Sequence, residues 1–409
     1  MAKEYKDLIV GLDIGTAKIM VVVGEVLPGG DLRLAGLGVA ASDGLKRGVV
    51  VNIDATVTSI QQALKEAELM ADCKIAHVYT GITGSHIRGF NSSGIVAIRD
   101  REVTAADVAR VIDTARTINI SSDQRLLLVE PQEFAIDGQD VREPVGMSGM
   151  RLEAKVHIVT GAQSAAENIV KCVRRCGLEV EYLMLNPLAS AQAVLSDDER
   201  SLGVACVDIG AGTTDVTIYS GGAIRHTAVI PIAGELITND IAMALRTPTS
   251  DAEEIKLASG CAKQLLADAD VQVEVPGLGD RTPRVLSRQA LAGVIEPRVE
   301  EIFEIVQQVV RDSGYEEMLS SGVVLTGGSA VMPGMVELGE DIFLKPVRRG
   351  APRYARALAD MVAVPRAATV MGLIEEARLA RLRGNPATQQ THGVRTWLNR
   401  AKDFILGNF

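Results

Sequence analysis

The chain has 409 residues, and its 42 lysines and arginines against 52 aspartates and glutamates give a formal net charge of −10. This acidic balance, without a basic patch interleaved with aromatic residues, argues against nucleic acid as a main partner. No apolar run approaches the roughly 18 residues of a membrane-spanning helix, and the first ten residues are not typical of a secretory signal. We therefore expect a soluble, cytoplasmic protein that is long enough to form several subdomains.

Residues 8–24 predict a first hairpin with a distinctive tip. Two apolar strands flank a short polar segment that contains Asp13, Ile14, Gly15, Thr16, Ala17 and Lys18. A glycine in such a turn lets backbone N–H groups approach a ligand closely. Taken alone, the same pattern is also typical of an ordinary hairpin turn, in which Lys18 would be a surface lysine.

Beyond this hairpin, the apolar pattern alternates between strands and helices. Strands are predicted near residues 32–37, 49–51 and 75–80, and a helix is predicted over residues 54–71. Such alternation is typical of an α/β fold in which helices flank a sheet. Residues 84–162 then form a separate βαββ-like piece, which carries no recognisable constellation of ligand residues.

Residues 202–220 repeat the first hairpin about half a chain later. An apolar strand leads into a polar tip that holds Asp208, Gly210, Gly212, Thr213 and Thr214. Backbone N–H groups and hydroxyls at such a tip suit phosphate oxygens. The carboxylate of Asp208 would repel a bare phosphate, so the pattern also predicts a cation, and Mg²⁺ is commonly held by carboxylates together with substrate phosphates.

Two Asp-Ile-Gly hairpins half a chain apart predict two duplicated halves that face each other across a cleft. Asp13 and Asp208 would then lie on opposite sides of the cleft and orient Mg²⁺ through water molecules. A third glycine-rich turn follows in residues 322–335, where a buried-looking strand runs into Thr326, Gly327, Gly328 and Ser329. A Gly-Gly pair between a strand and a helix lets a flat ligand such as adenosine lie against the backbone.

These three turns together resemble the nucleotide-binding segments of the actin, Hsp70 and sugar-kinase ATPase superfamily. Over essentially its whole length, the chain is similar to the FtsA family of bacterial cell-division proteins. The similarity is carried, in order, by the segments GLDIGTAKI, CVDIGAGTTDVTIY, GGAIRHTAVIP, TPTSDAEEIK, RQALAGVIEPR and VVLTGGSA. The resemblance implies an α/β, actin-like ATPase fold: two duplicated domains around a nucleotide cleft, each with an inserted subdomain, plus a C-terminal amphipathic helix.

The resemblance also implies a division of the chain into named parts. These are subdomain IA (1–83 with 163–200), inserted subdomain IC (84–162), subdomain IIA (201–225 with 306–382), subdomain IIB (226–305), a flexible linker (383–393) and a membrane-targeting helix (394–409).

For the site itself, the resemblance implies ATP with Mg²⁺ and at most a weak ATPase activity. The phosphates would be held by backbone at Gly15, Thr16, Ala17, Gly210, Gly212, Thr213 and Thr214, with Lys18 as a neutralising charge. The nucleoside would be lined by Gly327, Gly328 and Ser329 and contacted by Glu253 and Lys256. Gln192 would position the attacking water. By themselves, Glu253 and Lys256 are typical of ordinary helix capping, and Gln192 is typical of a polar residue on a helix surface.

Residues 394–409 predict an amphipathic helix after a linker rich in Gly, Pro, Thr and Gln. One side of this helix is apolar and aromatic and the other is basic, the members being Trp397, Leu398, Phe404, Ile405 and Phe409, with Arg400 and Lys402. This composition favours a helix that lies in the interface of an anionic membrane. The alternative is a terminal helix docked on the globular core.

The function implied by the resemblance is to polymerise and to tether FtsZ filaments to the inner face of the cytoplasmic membrane at the division site. Arg298 would contact the C-terminal tail of FtsZ, unless it is simply a solvated arginine, and residues 84–162 would bind other divisome proteins. Two rival functions belong to the same superfamily: a small-molecule kinase, and an ATP-binding scaffold that does not polymerise.

Overall fold

The computed structural model describes residues 7–118, 120–279, 282–353 and 358–383. The predicted membrane helix 394–409 and the linker before it, apart from Arg383, lie outside these residues. Within the described ranges, buried apolar side chains form two large cores, one smaller core and a cluster of three residues, Cys261, Ala267 and Ala292. None of the described helices is long and apolar enough to cross a membrane.

The first domain begins with a sheet whose central strands are covered on both faces. Its opening elements are β1 (Leu8–Ile14), β2 (Lys18–Val26), β3 (Leu32–Ala41), β4 (Leu45–Lys46), β5 (Val49–Val50), α1 (Ile53–Ala71) and β6 (His77–Ile82). Almost every residue of β1 and β2 is buried, which explains their continuous apolar runs. Asn52 caps α1 by accepting a hydrogen bond from the Ala55 backbone N–H at 3.1 Å.

An inserted unit with its own core follows. Its elements are β7 (Arg88–Ala97), α2 (Ala105–Arg116), β8 (Gln124–Ile136), β9 (Gln139–Val141) and β10 (Arg151–Ala162). The strands form an antiparallel sheet in the order β7-β10-β8-β9. Helix α2 begins with a capping box, in which Thr104 and Asp107 satisfy each other's backbone N–H groups.

The chain then returns to the first sheet and crosses to the second. The elements of this passage are α3 (Gln163–Arg175), β11 (Glu179–Leu185), α4 (Asn186–Val194) and α5 (Asp197–Leu202). Strand β11 completes a sheet in the order β3-β2-β1-β6-β11. Its first three strands are antiparallel and its last pairings are parallel.

The second domain repeats this sheet. Its elements are β12 (Val204–Ile209), β13 (Thr214–Ser220), β14 (Ala223–Ile230), α6 (Gly234–Leu245), α7 (Thr249–Ser259), β15 (Gln272–Val275), β16 (Arg284–Ser287), α8 (Arg288–Asp312), β17 (Val323–Thr326), α9 (Met335–Phe343), β18 (Val347–Arg349), α10 (Ala359–Val362) and α11 (Ala368–Leu382). The sheet order is β14-β13-β12-β17-β18, again antiparallel for three strands and then parallel. The duplication predicted from two hairpins therefore extends to the whole sheet.

The structure corrects three of the predicted boundaries. Strand β14 belongs to the second sheet, so this sheet continues beyond residue 225, and α8 continues beyond residue 305. Helix α11 packs in the first core and not in the second. A Cβ atom on Gly11 of β1 would lie 2.9 Å from the Val370 carbonyl oxygen, and one on Gly372 would overlap Ala189 of α4. The chain thus crosses back to the first domain with its last described helix.

The inserted unit also contacts the second domain. His157 of β10 is fully buried, and its ring nitrogens lie 2.7 Å from Asn91 Oδ1 and 2.9 Å from Thr227 Oγ1 on β14. Burial lowers the pKa of His157 to about 3, so this ring is neutral. Arg225 of β14 donates to Glu133 of β8 at 2.5 Å. The two domains are therefore joined at this seam as well as at the cleft.

Candidate functional site

The two predicted hairpins are confirmed and have the same register. In the first, Ile14 pairs with Ile19, and in the second, Ile209 pairs with Thr214. Each four-residue tip is closed by one backbone hydrogen bond, from Gly15 N–H to the Lys18 oxygen at 3.1 Å and from Gly210 N–H to the Thr213 oxygen at 2.9 Å. The two halves of the chain therefore present tips of the same construction.

These tips face each other across the junction of the domains. A Cβ atom on Gly212 of the second tip would lie 2.5 Å from Thr16 Oγ1 of the first. Only glycine allows this approach, because a side chain at this position would meet the opposite tip. Residues of the two motifs that are far apart in sequence thus form one site.

Two carboxylates, one from each hairpin, lie at this site: Asp13 is buried and Asp208 is half-buried. Asp13 is 6% exposed, and its pKa is raised to about 6, chiefly by burial and also by the nearby Asp208, while Lys18 lowers it. Burial also raises the pKa of Asp208, although this carboxylate accepts hydrogen bonds from Ser190 and from Thr369, the latter at 3.3 Å. Two close, desolvated carboxylates favour a cation between them.

A third carboxylate at this site, Asp215, is not among the residues predicted from the sequence. It lies on β13 directly opposite Asp208 in the ladder, and its Oδ1 accepts a hydrogen bond from Thr83 Oγ1 at 2.9 Å across the cleft. Its pKa is raised to about 8, first by burial and then by Asp208. The hairpin register contained the signal, since residues opposite each other in a ladder share a face.

Lys18 is half-buried at the end of the first tip. Its Nζ lies 2.6 Å from Met20 Sδ and donates to the backbone oxygen of Arg366. Burial lowers its pKa to about 8, while Asp13 and Asp208 act in the opposite direction. The ammonium group is thus placed among the carboxylates, where it can meet an anionic ligand.

The third glycine-rich turn packs against the second hairpin. Ser329 Oγ donates to the Gly210 oxygen at 3.0 Å, and the first N–H of α6, from Gly234, donates to the same oxygen at 3.1 Å. Gly327 has φ +89° and lies so close to Asp208 that a side chain would collide with this carboxylate. Apart from its two chain neighbours, no residue in the described part of the chain has an atom within 4 Å of a Cβ position on Gly328. The turn therefore offers open space beside the hairpin for a ligand.

Glu253 and Lys256 both lie on α7. Lys256 is 9% exposed, and its Nζ donates to the Gly234 oxygen at 3.1 Å and to Thr238 Oγ1 at 2.8 Å. It also forms an ion pair with Glu253 at 2.6 Å. These contacts fix α7 to the start of α6, where Gly234 lies beside Ser329. The contact of Glu253 and Lys256 with a nucleoside stays a prediction.

The comparisons with known proteins agree with this architecture. Residues 205–372 match the family described as cell division protein FtsA, and residues 84–160 match the SHS2 domain inserted in FtsA. The chain is 58% identical to cell division protein FtsA of Pseudomonas aeruginosa over 368 residues, which cover 90% of this chain and 88% of that protein. The chain belongs to the FtsA family.

Other FtsA relatives match over nearly their full length. The identity is 50% with the protein of Neisseria meningitidis, over 97% of this chain and 98% of that one, and 44% with the protein of Escherichia coli K12, over 99% of each.

Solved structures show the same fold at low identity. The PilM-PilN type IV pilus biogenesis complex has a TM-score of 0.66 at 17% identity, over 90% of this chain and 98% of that chain. MreB5 of Spiroplasma citri bound to ADP has a TM-score of 0.57 at 14% identity, over 93% and 99%. This FtsA-family chain has the actin-like ATPase fold.

Gln192 is not brought to the hairpin tips. Gln192 of α4 donates to Glu376 Oε2 of α11 at 3.3 Å. The residue of α4 that reaches Asp208 is Ser190, and residues two positions apart point to opposite sides of a helix. No contact among the described residues therefore supports a water-positioning role for Gln192.

Arg298 likewise makes internal contacts. Its Nε donates to Asp240 Oδ2 at 2.5 Å, its second terminal nitrogen to Asp240 Oδ1 at 3.1 Å, and its first to Glu301. The guanidinium group thus connects α8 to α6. The predicted contact with FtsZ stays a prediction.

The residues predicted to bind the membrane lie outside the described part of the chain. These are Trp397, Leu398, Arg400, Lys402, Phe404, Ile405 and Phe409. The amphipathic C-terminal helix therefore stays a prediction.

Proposed function

We propose that this FtsA-family chain binds ATP with Mg²⁺ between its two hairpin tips and, in that state, polymerises and tethers FtsZ filaments to the inner face of the cytoplasmic membrane. The observation that carries the first part is the pair Asp13 and Asp208. A buried and a half-buried carboxylate on duplicated hairpins both have raised pKa values at the site where the two predicted phosphate tips meet.

The donor set fits Mg²⁺ held through water. Among the described residues, no three His, Cys, Asp or Glu side chains are placed to ligate one ion directly. Two carboxylates facing a phosphate site suit an ion that keeps most of its water and bridges to phosphate oxygens. When bound, Mg²⁺ supplies positive charge to the phosphates and to both carboxylates. Lys18 would add a further charge on the first hairpin.

The nucleoside would lie along the turn at Gly327 and Gly328, with Ser329 holding the turn to the second hairpin. Glu253 and Lys256 would border it from α7. Two solved structures with the same fold support a nucleotide here, MreB5 of Spiroplasma citri bound to ADP and bound to AMPPNP.

The tether itself would be residues 394–409. A short amphipathic helix has modest membrane affinity, and polymerisation would multiply it because each bound subunit raises the effective concentration of its neighbours' helices. The subdomain that contains Arg298 would hold the FtsZ tail, and residues 84–162 would contact other divisome proteins.

Co-sedimentation with anionic liposomes and Mg²⁺-ATP tests this proposal. The intact chain is compared with one that ends at Gly393, each with an FtsZ tail peptide present. We expect only the intact chain to pellet and to carry the peptide with it. Equal pelleting of both would show that residues 394–409 are not the tether, and pelleting of neither would favour a soluble kinase of the same superfamily.

A matched pair of full-length variants sharpens the comparison. Phe404→Glu places a charge on the predicted apolar side, whereas Asn399→Glu introduces the same residue elsewhere on the helix. Phe404→Glu is expected to abolish pelleting, and Asn399→Glu to retain most of it.

A further inference from the structure

A third hairpin lies at the junction of the two tips. Strands β4 and β5 pair antiparallel, with Lys46 opposite Val49. The two residues between them, Arg47 and Gly48, both have positive φ, 49° and 77°. This is the requirement of a two-residue type I′ turn, so the backbone at Arg47 is firmly fixed.

The turn of this hairpin contacts both predicted phosphate tips. Gly48 N–H donates to Thr16 Oγ1 of the first tip at 3.1 Å. On the other side, a Cβ atom on Gly212 of the second tip would lie 2.9 Å from the Arg47 Cα. A Cβ atom on Gly48 would lie 3.2 Å from Thr213 Cγ2. The β4–β5 turn thus lies between the two tips and contacts both.

The turn brings two positive charges to this place. Lys46 and Arg47 are exposed, and within the described ranges neither side chain has an ion pair or hydrogen bond. Both line a cavity of about 220 Å³. The rest of its lining comes from the second tip, at Ala211 and Gly212, and from the segment that leads into α6, chiefly Pro231, Glu235 and Asn239. Two cations with no partner among the described residues therefore border a cavity that reaches the second predicted phosphate tip.

The order of contacts along the second tip indicates which part of the nucleotide would lie near Arg47. The turn predicted to hold the nucleoside contacts the tip at Gly210, through Ser329. Arg47 contacts it two residues later, at Gly212. A ligand whose nucleoside lies at the first position and whose phosphates follow the tip has its last phosphate nearest to Arg47.

We infer that Arg47, assisted by Lys46, binds the terminal phosphate of the nucleotide and makes the site selective for the triphosphate. This inference rests on the proposed function of the cleft. A guanidinium group suits the role because it remains charged and can form two parallel hydrogen bonds to phosphate oxygens. Since its turn contacts Thr16 and Gly212, the contact joins the terminal phosphate to both halves of the molecule.

Isothermal titration of the full chain with Mg²⁺-ATP and with Mg²⁺-ADP tests the inference. The variant is Arg47→Asn, because asparagine tolerates positive φ and the turn is preserved. We expect the affinity for ATP to fall about tenfold, as for loss of one charge-assisted contact, and the affinity for ADP to change less than about twofold. Arg47→Lys should retain part of the ATP preference.

The matched control is Arg142→Asn, which removes the same charge from an exposed position on the inserted unit. It should change neither affinity. Equal losses of ATP and ADP affinity in Arg47→Asn, or no loss of either, would overturn the inference. A wild-type chain that binds neither nucleotide would instead refute the proposed function, and this outcome is visible before any variant is made.

Discussion

The two hairpins of the cleft share one backbone and differ in chemistry. Their registers are the same, but the positions that hold Lys18 and Met20 in the first hold Thr213 and Asp215 in the second. One half of the duplicated site therefore contributes an ammonium group and the other an additional carboxylate. The geometry of the duplication is kept, while the charge at equivalent positions has diverged.

Burial favours the neutral form of both Lys18 and Asp215. It lowers the pKa of Lys18 to about 8 and raises that of Asp215 to about 8. Both groups thus titrate close to the physiological range; bound Mg²⁺ would favour the charged form of Asp215, and the phosphates that of Lys18. The comparison between the halves predicts distinct effects for a carboxylate shared by both and for one present in the second alone.

The largest effect is expected for the shared carboxylate. Asp208→Asn removes a charge that would hold Mg²⁺ through water, so the affinity for Mg²⁺-ATP should fall about 10- to 100-fold. Without nucleotide, the variant should be at least as stable as the wild type, because a partly desolvated carboxylate near Asp13 is lost. Calorimetric titration and thermal unfolding measure the two quantities.

The control for this variant is Asp198→Asn, an exposed carboxylate in the first turn of α5. It should leave nucleotide affinity unchanged. An Asp208→Asn protein that binds Mg²⁺-ATP like the wild type would contradict the placement of the cation.

The second effect is a pH dependence specific to the second half. A folded-state pKa above the unfolded value contributes stability at low pH that is lost as pH rises through the folded pKa. For Asp215 this window runs from about 4 to about 8, and for Asp13 it ends at about 6. Between pH 6 and 8, the nucleotide-free wild type should therefore lose about 2 kcal/mol more unfolding free energy than Asp215→Asn. Urea unfolding at both pH values gives the comparison, and equal losses would remove Asp215 from this account.

The smallest effect separates two residues of α4. Ser190→Ala removes a hydrogen bond to Asp208, and the affinity for Mg²⁺-ATP at neutral pH should fall about three- to tenfold. Gln192→Ala should leave affinity and phosphate release within about twofold, because its side chain contacts Glu376 and not the tips. A selective loss of phosphate release in Gln192→Ala would restore the water-positioning role expected from the sequence.

Local patterns were enough to predict the hairpins and the third turn, because glycine spacing and apolar strands are properties of short segments. Asp215 was missed because it lies inside an apolar strand, where only the pairing register shows that it faces Asp208. The position of α11 could not be predicted from the sequence, because its apolar pattern does not show which core it enters. The close approach of Gly372 to α4 places it in the first core. In the same way, Ser190 and Gln192 were distinguishable only once the face of α4 was known.

The central claim is that both halves hold one nucleotide through a shared cation, and titration of the wild type with ATP, with and without Mg²⁺, beside Asp13→Asn and Asp208→Asn, tests it most directly. We predict one site per chain, strong dependence on Mg²⁺, and similar losses in the two variants, which lie on opposite hairpins. Binding that ignores Mg²⁺, or a loss confined to one of the two variants, would contradict a cation shared between the halves.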